Sequence, residues 1–374
     1  MSRAREIADL GSPAASGLSD RNLLINSDMQ VAQHGASKAM AHDGNTSVYV
    51  VDRFTMAFGG THEQLDGTYA QVADHPLSAN GKSLKWTTGT AESSYDADEY
   101  LYAAQIIEAQ NLQRINNGNS NAVPITLSFY VKSSITGTFA VGIYKEDSTA
   151  RIFNKTYAIS SANTWEKKTI TFAGDASGGG IVNDNGRGFY INWHLAAGSN
   201  AVGGGSNGAW KNYGGLSDWA DGQATNAIAT TASATWQLAQ CQLEIGEVAT
   251  PFEHEDIGTT LRKCQRYLYR LETESTSGAF VNLTGWSADA TYGPILYPVE
   301  MRSAPALSYG AAVNDFLILS AGTNPVPTAI LSNGSSKRMM ELSIWSTGNV
   351  VAGRSYWSRI SDVTNGFIQW DAEL

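Results

Sequence analysis

Trp210, Tyr213 and Trp219 stand close together, interleaved with Lys211, Asn212 and Asp218. Flat rings flanked by amides and charges suit a sugar-binding surface. The C–H face of a sugar stacks on a ring while its hydroxyls find directional partners. The same rings could instead anchor a Gly-rich loop to the body of a domain, and the sequence leaves both readings open. Asp96-Ala97-Asp98-Glu99 clusters the oxygen donors that calcium accepts. It lacks the glycine and spacing of an EF-hand loop, so it reads as a solvated acidic turn, with a structural calcium as the alternative.

Other patterns point away from catalysis and cofactors. His254-Glu255 is no HExxH, because Gly258 occupies the place of the second histidine. The runs at 178–180 and 203–205 are glycine triplets without the Lys-Ser/Thr of a phosphate loop. A GxSxG elbow is absent, since Gly215-Leu216-Ser217-Asp218 continues into Trp219. Glycan hydrolysis needs two facing carboxylates, and none of the 35 acidic residues is marked out as such a pair. No catalytic residue, metal ligand or cofactor is assigned. Cys241 and Cys264 read as buried free thiols; two cysteines without a CxxC make no zinc site.

The elements that must carry these residues are strands. The stretch at 236–245 settles into alternation through Leu243 and Ile245, the mark of a half-buried strand. Gly246 ends it, Pro251 turns the chain, and Gly258-Thr259-Thr260 is expected to cap a short helix running through Cys264. Strand patterns recur at 48–51, 83–86, 125–131, 139–144, 169–172 and 189–193, then at 267–271, 279–283, 294–301, 316–319, 339–345, 356–360 and 366–370. Residues 98–109 fit either a helix or a strand carrying Tyr100, Tyr102 and Ile106. The Gly-rich stretches at 174–188 and 198–222 are expected to be flexible loops. Trp86, Trp165, Trp193, Trp236, Trp345 and Trp370 fall in strand patterns and read as core or interface.

The expected fold is all-β. An N-terminal jelly-roll sandwich (21–256) is followed by a short linking helix (257–265) and a smaller antiparallel β-sandwich (266–374). Charged residues are only 16% of the 374, below the usual quarter. Net charge is −10. After residue 258 there are nine basic and nine acidic side chains, which leaves sixteen basic against twenty-six acidic before it. That balance disfavours nucleic acid and anionic lipid as partners. No apolar run is long enough to span a membrane, and MSRAREIADLGS has no secretory apolar region.

Several phrases together resemble a family of bacteriophage virion proteins, namely tail fibres and related structural proteins with a carbohydrate-module-like jelly roll. Asn22 to Met29 followed by Gln33 looks like the family's opening strand, and Val51-Asp52-Arg53-Phe54 like its second. Thr126 to Ser133, Asn163 to Ile170 and the 236–271 junction match it in order; Pro298 to Pro305 and Ile368 to Leu374 are similar to its C-terminal domain. The resemblance implies a virion protein assembled in the host cytoplasm, a homotrimer, and host surface glycan as ligand. It also implies other virion proteins of tail or capsid as partners. A head fibre or capsid decoration protein is the alternative, with a glycan-degrading enzyme behind it. Residues 1–20 are expected to be an attachment peptide, offering Arg3, Arg5, Ile7 and Leu10 to the particle.

Overall fold

The structure, a computed structural model, describes residues 20–42, 47–60, 62–272, 278–310, 312–320, 324–362, 364 and 366–374. Arg3, Arg5, Ile7 and Leu10 lie outside the described residues. Contacts divide the chain into two units, Met1–Thr260 with Leu374, and Leu261–Glu373.

The N-terminal unit contains β1 (Ser37–Ala41), β2 (Ser47–Tyr49), β3 (Phe54–Gly59), β4 (Asp66–Val72), β5 (Ser83–Thr88), β6 (Tyr100–Glu108) and β7 (Ile125–Ser133). It continues with β8 (Gly137–Lys145), β9 (Arg151–Ile159), β10 (Glu166–Phe172), β11 (Arg187–Ala197), β12 (Lys211–Asn212) and β13 (Thr235–Ile245). One sheet runs β1-β4-β5-β13-β7-β10 and the other β12-β9-β8-β11-β6-β3-β2. The chain crosses between them at β1–β2, β3–β4, β5–β6, β6–β7, β7–β8, β9–β10, β10–β11 and β12–β13, which is how a jelly roll is wound. Residues 98–109 therefore resolve as strand β6.

Alternation explains which faces meet. Phe129 on β7, Leu238 on β13, and Ile191 and Trp193 on β11 are fully buried in one cluster. The Trp193 ring lies 6.1 Å from Phe54 of its own sheet and 6.0 Å, edge-on, from Phe129 of the other. The partners of β11 leave Tyr190, Asn192 and His194 on the opposite face, away from this core.

Two segments expected to be strands are turns. Positive φ at Asn26, Met29 and Arg53 breaks the extended path. Asn22 side-chain bonds to Cys241 O and from Leu243 N, at 2.9 and 3.0 Å, dock the opening segment on β13 instead. The buried Asp52 carboxylate accepts from Gln33 N at 2.6 Å and Gln33 Nε2 at 2.5 Å. Burial raises its pKa from 3.8 to about 6, against these bonds and the Arg53 charge. A folded-state value above the unfolded one means that the native chain gains stability as pH falls through 6, since it holds a proton the unfolded chain releases. Measured by urea unfolding against Asp52→Asn, the unaltered chain should gain about 1 kcal/mol on going from about pH 7 to about pH 5. A flat or opposite trend would refute this.

A short helix α1 (Ala227–Thr230) precedes β13, and α2 (Ile257–Gln265) follows it. The cap of α2 is Asp256 rather than the Gly-Thr-Thr run: Gly258 N donates to its carboxylate at 2.9 Å, and Thr260 N to its carbonyl at 3.0 Å. Cys241 and Cys264 are buried free thiols. Among the described residues no helix is long and apolar enough to cross a membrane.

The second unit contains β14 (Leu268–Glu272), β15 (Ala279–Gly285), β16 (Ala290–Leu296), β17 (Ala306–Gly310), β18 (Phe316–Leu319), β19 (Pro327–Ser335), β20 (Met339–Ser346), β21 (Ser355–Ile360) and β22 (Phe367–Asp371). They form a three-stranded sheet, β14-β22-β17, and a six-stranded one, β18-β21-β15-β16-β20-β19. Trp370, Met301, Phe316, Met340 and Leu342 make the main core. The strand expected at 294–301 stops at Leu296, before Pro298, which has no N–H for a ladder.

Candidate functional site

The loop at 198–222 is not loose. Asp221 accepts backbone N–H groups of Gly203 and Asn207, both at 2.7 Å. Asp218 accepts from Gly214 N and Lys211 Nζ, both at 2.7 Å. Buried Asn154 on β9 donates to Asp218 O at 2.6 Å. The second Gly-rich stretch is pinned as well. Lys145 Nζ donates to the carbonyls of Gly178 and Gly179 at 2.9 and 2.7 Å, and Arg151 grips Asp175. Both departures from expected flexibility have buried polar partners: Asn154 and the loop's own Asp218 and Asp221 for the first, and Lys145 on β8 with Arg151 on β9 for the second.

The three loop aromatics are not brought together. Trp210 Nε1 donates to Ala173 O at 2.6 Å, and its ring packs on Phe153 and Phe189 at 5.5 and 6.0 Å. It is an anchor against the core. Trp219 instead lies over the outer face of the seven-stranded sheet. Its ring centroid is 6.1 Å from Tyr100, 5.5 Å from Tyr102, 5.6 Å from Tyr144, 6.1 Å from His194 and 6.3 Å from Tyr213. Tyr213 also packs edge-on to Tyr144 at 5.1 Å.

Strand register builds the rest of this face. Tyr144 on β8 is directly opposite Tyr190 on β11, with rings 5.6 Å apart. Tyr102 on β6 is opposite His194 on β11. The result is a run of half-buried rings, Tyr100, Tyr102, Tyr144, Tyr190, Tyr213 and Trp219, across three adjacent strands and the loop. Polar groups border it: Tyr190 Oη donates to Glu146 at 3.1 Å, and Arg187 lies 5.7 Å over the Tyr190 ring. Burial pushes the Tyr102 phenol up to about 12 and raises Tyr144, so these hydroxyls stay neutral donor–acceptors. Burial also takes His194 down to about 3, so the face carries a neutral imidazole beneath Trp219. Such a face can stack on a sugar and bond its hydroxyls.

A separate cavity of about 410 Å³ is lined by Asp28, His75, Ser78, Gln240 and His254 among others. Ser78, His75 and Asp28 share it, yet His75 is engaged at both nitrogens: Nδ1 accepts from Leu77 N at 3.2 Å and Nε2 faces Asp28 at 3.1 Å. That tautomer leaves no nitrogen to take a proton from Ser78. In the acidic turn at 96–99, read as solvated with calcium as the alternative, Asp96 is exposed and Asp98 half-buried, while Glu99 turns fully inward. Trp165 is half-buried ahead of β10, bonded to Asp74 at 3.1 Å, rather than in the core.

No protein-family model and no curated protein matches the chain. Among solved structures it is similar to the enzymatically active domain of tailspike protein 4 of bacteriophage CBA120, with TM-score 0.31 and 10% identity. That match covers 60% of this chain and 21% of the tailspike chain, so the chain spans about a fifth of that protein's length. It is also similar to the family 11 carbohydrate-binding module of cellulase Lic26A-Cel5E of Clostridium thermocellum, with TM-score 0.28, 11% identity, and 61% and 96% of the two chains covered. The CBM22-1 xylan-binding domain of Paenibacillus barcinonensis Xyn10C matches with the same scores and coverage. Likeness at this level decides nothing about function here, and the case for a binding role rests on the side chains.

Proposed function

We propose that this chain is a glycan-binding structural protein of a phage virion, of the tail-fibre or adhesin type, and that the outer face of its seven-stranded sheet meets the sugar. The observation that carries this reading is the half-buried aromatic run from Tyr100 to Tyr190, bordered by Glu146 and Arg187. Binding is the whole mechanism: rings stack on sugar faces, and neutral phenols and the rim charges select hydroxyl positions. The order of phrases resembling phage virion proteins supports the virion setting.

The test is affinity electrophoresis of the full chain in gels containing host surface polysaccharides, with Tyr144→Ala and Tyr190→Ala compared. Retardation should weaken at least about tenfold, or ~1.4 kcal/mol, per ring removed. Binding that ignores both substitutions, or no retardation by any polysaccharide of a susceptible host, would sink the reading.

One contact of this strength is weak, so the reading includes multivalent presentation by three copies of the chain. The second unit has a suitable surface. On the outer face of its six-stranded sheet, Leu296 is opposite Met339, with Leu331, Trp345 and Trp357 on the same side. All five are exposed, Leu296 to 71% and Trp357 to 64%. Met340, next to Met339 in the chain, points into the core at 0%. A second copy of the chain is the partner that buries a repeated apolar face under closed symmetry.

A further inference from the structure

His62, Glu92 and Glu99 are spread over 38 positions, on the turn after β3, the loop after β5 and the residue before β6. All three are buried, and one ligand atom from each lies within 4.8 Å of the others. His62 Nδ1 is 3.6 Å from Glu99 Oε1 and 3.9 Å from Glu92 Oε2. These are too long for hydrogen bonds. Among the described residues, neither His62 nitrogen, nor Glu92 Oε1, nor Glu99 Oε1, nor the Tyr95 hydroxyl beside them has a hydrogen-bond partner. Five orphaned polar atoms in one buried spot is costly, and two buried carboxylates are costlier still without a cation.

Among the described residues the nearest other charges are those of Asp96 and Asp98, which are acidic too. The carboxylates are nonetheless held in place. Glu92 Oε2 accepts from Leu65 N at 3.1 Å, and Glu99 Oε2 from Asp96 N at 2.9 Å. Gly60 makes the close approach possible: at φ +83, a Cβ there would fall 2.4 Å from Asp98 O.

We propose that His62, Glu92 and Glu99 bind one divalent cation of the zinc class, which ties the three segments together at the start of β6. An imidazole nitrogen with two carboxylate oxygens suits zinc, whereas calcium and magnesium take oxygen donors alone. Zinc at about 2.0–2.2 Å from each donor requires donors about 3.3 Å apart. The observed separations close to that with small side-chain rotations. The backbone N–H bonds to both carboxylates are the outer contacts that hold metal ligands in orientation.

The experiment uses the full chain, stripped with chelator and then dialysed against Zn²⁺. Elemental analysis after gel filtration should give one zinc per chain, and the thermal midpoint should rise on adding Zn²⁺. Glu99→Gln and Glu92→Gln should each lose stoichiometric zinc, while Asp96→Asn keeps it. Zinc retained equally by both Gln variants would overturn the proposal. If those variants fail to fold, the unaltered chain still decides. Substoichiometric zinc with an unmoved midpoint, or a midpoint raised by Ca²⁺ and not Zn²⁺, overturns it too.

Discussion

An Asp175→Ala chain is expected to lose about 3–5 kcal/mol of stability, a large share of what holds a domain folded. Arg151 on β9 clamps Asp175 with both arms: Nε to Oδ2 at 2.8 Å and Nη2 to Oδ1 at 2.7 Å. Their side chains are only 10% and 2% exposed. Truncating the carboxylate strands a buried guanidinium, and that orphaned charge is the main cost. Among the described residues Arg151 would keep its bond to Asn212, at 2.8 Å on β12, so the loop carrying Tyr213 and Trp219 would feel the change. Gly178 is adapted to the same clamp: at φ +76, a Cβ would lie 2.5 Å from Arg151 Cδ. The control is Arg151→Met/Asp175→Leu, which removes both charges and should cost far less than the single change. Urea unfolding of the three chains decides it. If the double variant is as unstable as Asp175→Ala, shape and not charge is what the clamp supplies.

What the sequence showed and what it hid follow from range. The strand through Leu243 and Ile245 was legible because its last residues alternate with Gln242 and Glu244, and β20 because Leu342 and Ile344 alternate with Glu341 and Ser343. By contrast β3, reading Phe54–Gly59, is buried at nearly every position, so no period shows. Strand β6 was ambiguous for the same reason: Leu101 and Ala103 face the core, while Tyr100 and Tyr102 make an apolar outer face. The Gly-rich loops looked flexible because composition is local, whereas Lys145 reaches Gly178 across 33 positions and Asn154 reaches Asp218 across 64. Trp219 and Tyr213 were visible as loop aromatics. Their partners were not, because Tyr102, Tyr144 and Tyr190 meet only through strand register. The His62, Glu92 and Glu99 cluster has no spacing signature at all; only folding brings its three segments together.

If the proposed trimer forms through this face, the double variant Trp345→Glu/Trp357→Glu is expected to be monomeric, with little change in thermal midpoint of the second unit. Both rings stand on the outer face of the six-stranded sheet, with side chains that make no part of its core clusters. Removing them therefore opens no cavity, unlike truncation of buried Trp370, for which about 3–5 kcal/mol would be lost. Within an interface each ring would bury on the order of 1.5–3 kcal/mol of apolar surface, counted once per copy. Two charges per copy in the same place would also be stranded without partners. The sum exceeds what a weak trimer can absorb. Light scattering reads the outcome directly, since the chain is 40.0 kDa and a trimer three times that. Should the unaltered chain itself scatter as a 40.0 kDa species, the apolar face serves something other than self-assembly, and the proposed avidity would need another source.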